Sequence, residues 1–143
     1  MRAANAPDSN QLMSKVIGNT VKATAEAAIL PNGVVDLRSL TPGGDKGASV
    51  FVHYNGPTAE LSAMCTGMVV LQPEVSPHPV HQHPEEELLF IVSGTGEIEC
   101  DGKKTNAGPG AVMYSAANVW HGITNTGKVP LTFYWSKWLG RGA

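Results

Sequence analysis

The chain lacks a basic excess: 10 Lys and Arg stand against 12 Asp and Glu, a formal net charge of −2 over 143 residues. A nucleic-acid partner needs a basic face to neutralise phosphates. An anionic membrane surface needs the same, so neither partner is expected. No apolar run is long enough to span a bilayer, and Met1–Ala28 holds no continuous apolar stretch of signal-peptide type. A soluble protein in a reducing compartment, the cytoplasm by default, is the expectation. Cysteine is scarce: Cys65 and Cys100 lie far apart without CxxC spacing. They read as half-buried strand thiols, and a disulfide is not implied. There is no internal repeat, no low-complexity tract and, after residue 31, no helical periodicity of useful length.

Turn formers, by contrast, are abundant, with 16 Gly and 10 Pro. The length suits one domain that buries a core without staples. Residues 1–30 differ from the rest: they are rich in Ala, Asn, Ser and Thr and poor in aromatics. Asp8 or Ser9 offers an N-cap for a short helix through Leu12, Met13, Val16 and Ile17, interrupted at Gly18. This region reads as a loosely packed arm, and residues 31–143 as the folded domain.

From Pro31-Asn32-Gly33 onward, short apolar runs alternate with turn clusters. The runs are Val34–Leu40, Ser49–Tyr54, Leu61–Leu71, Val80–His83, Glu87–Val92, Gly96–Cys100, Ala111–Tyr114, Val119–Thr124 and Leu131–Trp138. Asp101-Gly102 is a two-residue hairpin signal joining Cys100 to Lys103. Nine or ten short strands at this spacing predict an all-β sandwich or barrel. In the last run, alternation sends Tyr134 one way and Phe133 and Trp135 the other. Leu88–Val92 is hydrophobic on both faces.

The chemistry concentrates in His81-Gln82-His83-Pro84-Glu85-Glu86-Glu87, with His121 downstream. Side chains on a strand alternate faces with period two. On that reading His81 and His83 point the same way and are able to chelate one ion. His78 has the opposite parity to His81, and His53 stands apart; both read as structural or surface residues. A carboxylate from the Glu85–Glu87 run completes the pattern, but Glu85 and Glu87 share parity, so alternation does not choose between them.

These residues resemble the cupin superfamily. His81-x-His83-x-x-x-Glu87, followed after six residues by Gly94, matches its first motif in four ordered positions. The second motif runs from Gly110 through His121 to Asn125. It departs twice, with Ala116 where the family has proline and Asn118 where it has glycine. Asparagine tolerates the left-handed backbone better than most residues, so the turn before His121 is expected to survive. The match covers about residues 78–125.

The resemblance implies a jelly-roll β-barrel, usually a homodimer. It also implies one divalent transition metal per chain, held by His81, His83, Glu87 and His121 in the barrel mouth. The spacing to Gly94 selects Glu87, leaving Glu85 and Glu86 as solvated turn or rim residues. Three imidazoles and a carboxylate suit Fe, Mn, Ni, Cu or Zn rather than Mg or Ca. A divalent ion with one carboxylate keeps about one positive charge, which favours an anionic small-molecule ligand. The expected function is a metal-dependent enzyme acting on a small oxygenated anion. Dioxygenase chemistry ranks ahead of isomerase, lyase or decarboxylase chemistry. A non-catalytic small-molecule-binding cupin with a metal clamp is the alternative. No convincing general base stands out; Tyr114, Tyr134 and His78 are the candidates.

Overall fold

A computed structural model of the chain describes residues 28–142. The expected helix at the N-terminus and nearly all of the expected arm lie outside the described residues. Eight antiparallel strands carry the fold: β1 (Ala48–Gly56), β2 (Leu61–Leu71), β3 (Glu86–Ser93), β4 (Gly96–Cys100), β5 (Lys103–Ala107), β6 (Val112–Ser115), β7 (His121–Thr124) and β8 (Leu131–Gly140). A five-stranded sheet runs β1-β2-β8-β3-β6, and a three-stranded sheet runs β5-β4-β7. The architecture is all-β and of jelly-roll type.

Period-two patterning decides which side chains meet between the sheets. In β8 Leu131, Phe133, Trp135 and Lys137 are buried while Thr132, Tyr134 and Ser136 face outward. In β3 Glu87, Leu89 and Ile91 are buried and alternate with less buried residues. The inward apolar residues of these strands join Val69 and Leu71 of β2, Ile98 of β4 and Ile123 of β7 in one core cluster. At Gly67 in β2 the Trp135 ring lies where a side chain would be. A Cβ there would meet Phe51 O at 2.0 Å and Trp135 Cη2 at 2.5 Å. The missing side chain is what lets strand and indole pack face to face.

The Asp101-Gly102 hairpin forms with Cys100 paired to Lys103. Both loop residues have positive φ, 53° and 77°, as a type I′ turn requires.

Two expected strands are absent. Val34–Leu40 contains instead a short 3-10 turn, Leu37–Ser39, capped by the Asp36 side chain, and buries none of its residues. Local hydrogen bonding to Asp36 wins there because no apolar face needs covering. Val80–His83 is reduced to an isolated bridge between His81 and His121. Pro77, Pro79 and Pro84 break up the hydrogen-bonding pattern on either side.

Candidate metal centre

His81 and His121 are tied backbone to backbone, with His81 N–H to His121 O at 3.0 Å and the reverse bond at 2.9 Å. This bridge joins the proline-rich segment to the start of β7. Two residues on, the His83 carbonyl accepts from Asn118 N–H at 2.7 Å. Asn118 stands at φ 61°, so asparagine takes the left-handed position expected of the turn before His121. Glu87 projects inward from β3. One donor atom from each of His81, His83, Glu87 and His121 lies within 4.8 Å of all the others. His83, Glu87 and His121 are buried.

Second contacts fix which ring nitrogens face the centre. His83 Nδ1 lies 3.0 Å from the Glu85 carbonyl, and His121 Nδ1 lies 2.9 Å from the Val119 carbonyl. A carbonyl only accepts, so each Nδ1 carries a hydrogen and a neutral ring presents its Nε2 lone pair inward. Ser115 Oγ is a further neighbour of His121 Nδ1, at 3.1 Å. Both Nε2 atoms face one carboxylate oxygen, Glu87 Oε2, at 3.1 Å from His83 and 2.7 Å from His121. The shorter contact is not an aligned hydrogen bond: His121 Nε2 is buried with no partner.

A ring nitrogen and a carboxylate oxygen this close require a proton or a metal ion between them. The spacing also suits a shared metal, because donors about 2.1 Å from one ion and 90° apart lie about 3.0 Å from each other.

The electrostatics favour ligand-ready forms at His81 and Glu87. Burial, then the neighbouring His78 and His121, press His81 down to about 2, so its imidazole is neutral. Burial opposes the Glu87 anion, but the close His121 and His83 rings, with Lys137 beyond them, outweigh it and hold the carboxyl well below the usual range. Burial likewise opposes a charged His83, yet contacts with Glu85 and Glu87 raise it.

The surroundings differ from expectation in several places. Glu85 is not solvated: it is 2 % exposed, with its carboxylate 3.2 Å from His83 Nδ1. Glu86 is half-buried on the outer face, where it accepts from Tyr114 Oη at 2.6 Å and from Trp138 Nε1 at 3.0 Å. Pro84 ends the proline-rich segment and β3 begins at Glu86, so these residues belong to ordered packing rather than to a free rim.

Of the three acid–base candidates, Tyr114 and Tyr134 point away from the cluster. Tyr114 is 54 % exposed, and Tyr134 stacks on Phe90 on the outer face, with ring centroids 6.3 Å apart. Strand parity places both there. His78 departs from its expected opposite parity, because parity does not apply across Pro77 and Pro79. Its ring stacks on His81 at 3.6 Å, and burial presses it down to about 4. His53 lies beside Tyr134, with ring centroids 6.1 Å apart.

One inward residue escaped the sequence reading. Lys137 is 1 % exposed and stands in register between Cys65 of β2 and Glu87 of β3. The signal was present, since Lys137 continues the Phe133, Trp135 alternation onto the inner face. Beside it, burial pushes the Cys65 thiol up to about 12, so this cysteine is an inert packing residue. Asn125, at the end of the second motif, is fully buried. Its Nδ2 donates to Leu71 O at 3.0 Å and Val129 O at 2.9 Å, and its Oδ1 accepts from Gly127 N–H at 2.9 Å. It clamps a loop.

A jelly roll with a three-histidine, one-carboxylate cluster, three of its four residues buried, defines a class of small β-barrels built around a candidate mononuclear centre. The chain belongs to the cupin superfamily: the cupin domain family matches residues 67–137. No curated protein matches it in sequence. Among solved structures it is similar to an RmlC-like cupin from Shewanella frigidimarina, with 12 % identity over 78 % of this chain and 95 % of the other, at a TM-score of 0.65. It is also similar to a predicted oxalate decarboxylase from Thermotoga maritima (23 % identity, 75 % and 99 % coverage, TM-score 0.63). A third is KdgF from a Halomonas species (16 % identity, 75 % and 94 % coverage, TM-score 0.62). At these identities the likeness shows the fold.

Proposed function

We propose that His81, His83, Glu87 and His121 hold one divalent transition metal, and that the protein is a metal-dependent enzyme acting on a small oxygenated anion. The observation that carries this reading is the convergence of three imidazoles and one buried carboxylate, with a donor atom from each within 4.8 Å of all the others. When bound, the metal would supply Lewis acidity and a template for a chelating substrate and, if redox-active, a route to dioxygen. The chain's own part is orientation. Glu85 and Val119 carbonyls fix two rings, the His81–His121 bridge fixes the spacing, and the apolar core beneath excludes water.

Dioxygenase chemistry ranks first, ahead of isomerase, lyase or decarboxylase chemistry. The second reading, a non-catalytic binding cupin with a metal clamp, gains from one observation: Tyr114 and Tyr134 face outward, so only His78 of the three acid–base candidates stands at the cluster. A homodimer formed through the outer face of β3 and β6 accompanies either reading. Among the described residues no helix is long and apolar enough to cross a membrane. The two free thiols fit a reducing compartment such as the cytoplasm.

The test is elemental analysis of protein purified without chelating resin, beside His121→Ala. About one transition metal per chain, reduced at least tenfold in the variant, is expected. No metal in either protein after reconstitution overturns the metal reading. With metal in place, oxygen uptake over a panel of diketones, catechols and thiols separates the two functions. The absence of oxygen uptake on every substrate with every redox metal removes the dioxygenase.

A further inference from the structure

We propose that Lys137 is the anion anchor of this site, holding a second negatively charged oxygen of the substrate while the first lies at the metal. The proposal deepens the metal-dependent reading and rests on it. It also names a substrate class: small molecules with two acidic oxygen functions, such as dicarboxylates.

Three observations carry it. Lys137 is 1 % exposed, deeper than a lysine normally lies without a partner. Among the described residues its Nζ has no hydrogen-bond partner and no carboxylate oxygen lies close enough to form an ion pair with it. Its place is the interior beside the cluster: β8 directs it inward opposite Glu87, and its charge acts on Glu87, His81 and His83.

A buried ammonium without a partner is costly to folding. Glu87, its cross-strand neighbour, already faces two imidazoles and leaves Nζ unsatisfied. All three N–H donors of the ammonium lack an acceptor, and an anionic oxygen entering the site would supply one. A charge-assisted bond there would add both affinity and orientation.

The experiment uses the full chain loaded with Zn(II), which is redox-silent. Calorimetry measures the affinity of oxalate, malonate, succinate and glutarate, each against a monocarboxylate of the same carbon count. Native protein is expected to bind at least one dianion ten-fold or more tightly than its monoanion. Lys137→Met, which keeps the length and removes the charge, and Lys137→Gln are both expected to retain zinc at the native stoichiometry and lose that preference. Their melting temperatures should not fall, because the substitutions remove an uncompensated charge.

Variants that keep the dianion preference, or a native protein without one, overturn the anchor. So do variants that fold but release zinc, which would make Lys137 a support for Glu87. A native chain that takes up no zinc overturns the metal reading as well, and that outcome is seen before any anion is added.

Discussion

Asn118 shows how one backbone angle sets the site. At φ 61° it occupies a region that glycine enters freely and a β-branched residue enters at a cost. Its N–H reaches the His83 carbonyl, and three residues later the chain delivers His121. The turn therefore holds two candidate ligands at once. Asn118→Gly should leave stability within about 0.5 kcal/mol of native, since the glycine fits the angle and loses only some unfolded-state restriction. Asn118→Val should cost ~1–2 kcal/mol from the left-handed backbone alone and weaken metal retention together with stability. Denaturant unfolding and metal content of the two variants check this. Equal behaviour of Gly and Val would show that the turn does not depend on its left-handed residue.

At the scale of elements, what the sequence made legible depended on regular hydrogen bonding. β2, β4 and the Asp101-Gly102 hairpin fall where alternation and turn chemistry placed them. The four-residue cluster gathers as the motif spacing implied. Apart from Val34–Leu40, where capping by Asp36 wins, the failures lie where proline interrupts the ladder. Between Ser76 and Glu85 parity has no meaning, so His78 arrives on His81 and Glu85 is buried, neither of which period-two counting could place. Lys137 was legible in its strand pattern, but a single charge in an apolar alternation was passed over.

Asn125 joins elements in the same way that the prolines separate them. Its side chain satisfies Leu71 O at the end of β2, Val129 O before β8 and Gly127 N–H in the loop between. Asn125→Ala removes all three partners in a buried place, and the orphaned groups should cost about 2–4 kcal/mol. Urea unfolding measures it; a loss under about 0.5 kcal/mol would show that the loop re-pairs without the clamp.

On the whole molecule the five-stranded sheet has an outer face that the described residues leave exposed. Leu88 pairs with Tyr114 and Phe90 with Val112 across β3 and β6, and Phe90 with Tyr134 across β3 and β8. Phe90, Val112 and Tyr114 are all exposed. Single exposed apolar residues are ordinary, but a contiguous group on one sheet face marks an interface. A second copy is the natural occupant, because an isologous contact lets the same apolar face cover itself. The native protein should therefore show twice the 15.0 kDa chain mass by light scattering.

Phe90→Glu places two carboxylates across the two-fold axis without disturbing the core, since Leu89 and Ile91 point the other way. It should halve the measured mass while leaving metal content unchanged, the cluster lying inside the barrel. A native mass of one chain at every concentration would remove the dimer, and a dimer unaffected by Phe90→Glu would move it to another face. Because the Glu86–Tyr114–Trp138 bonds border this same face, loss of the dimer should also expose Trp138 to quenchers, a fluorescence readout independent of mass.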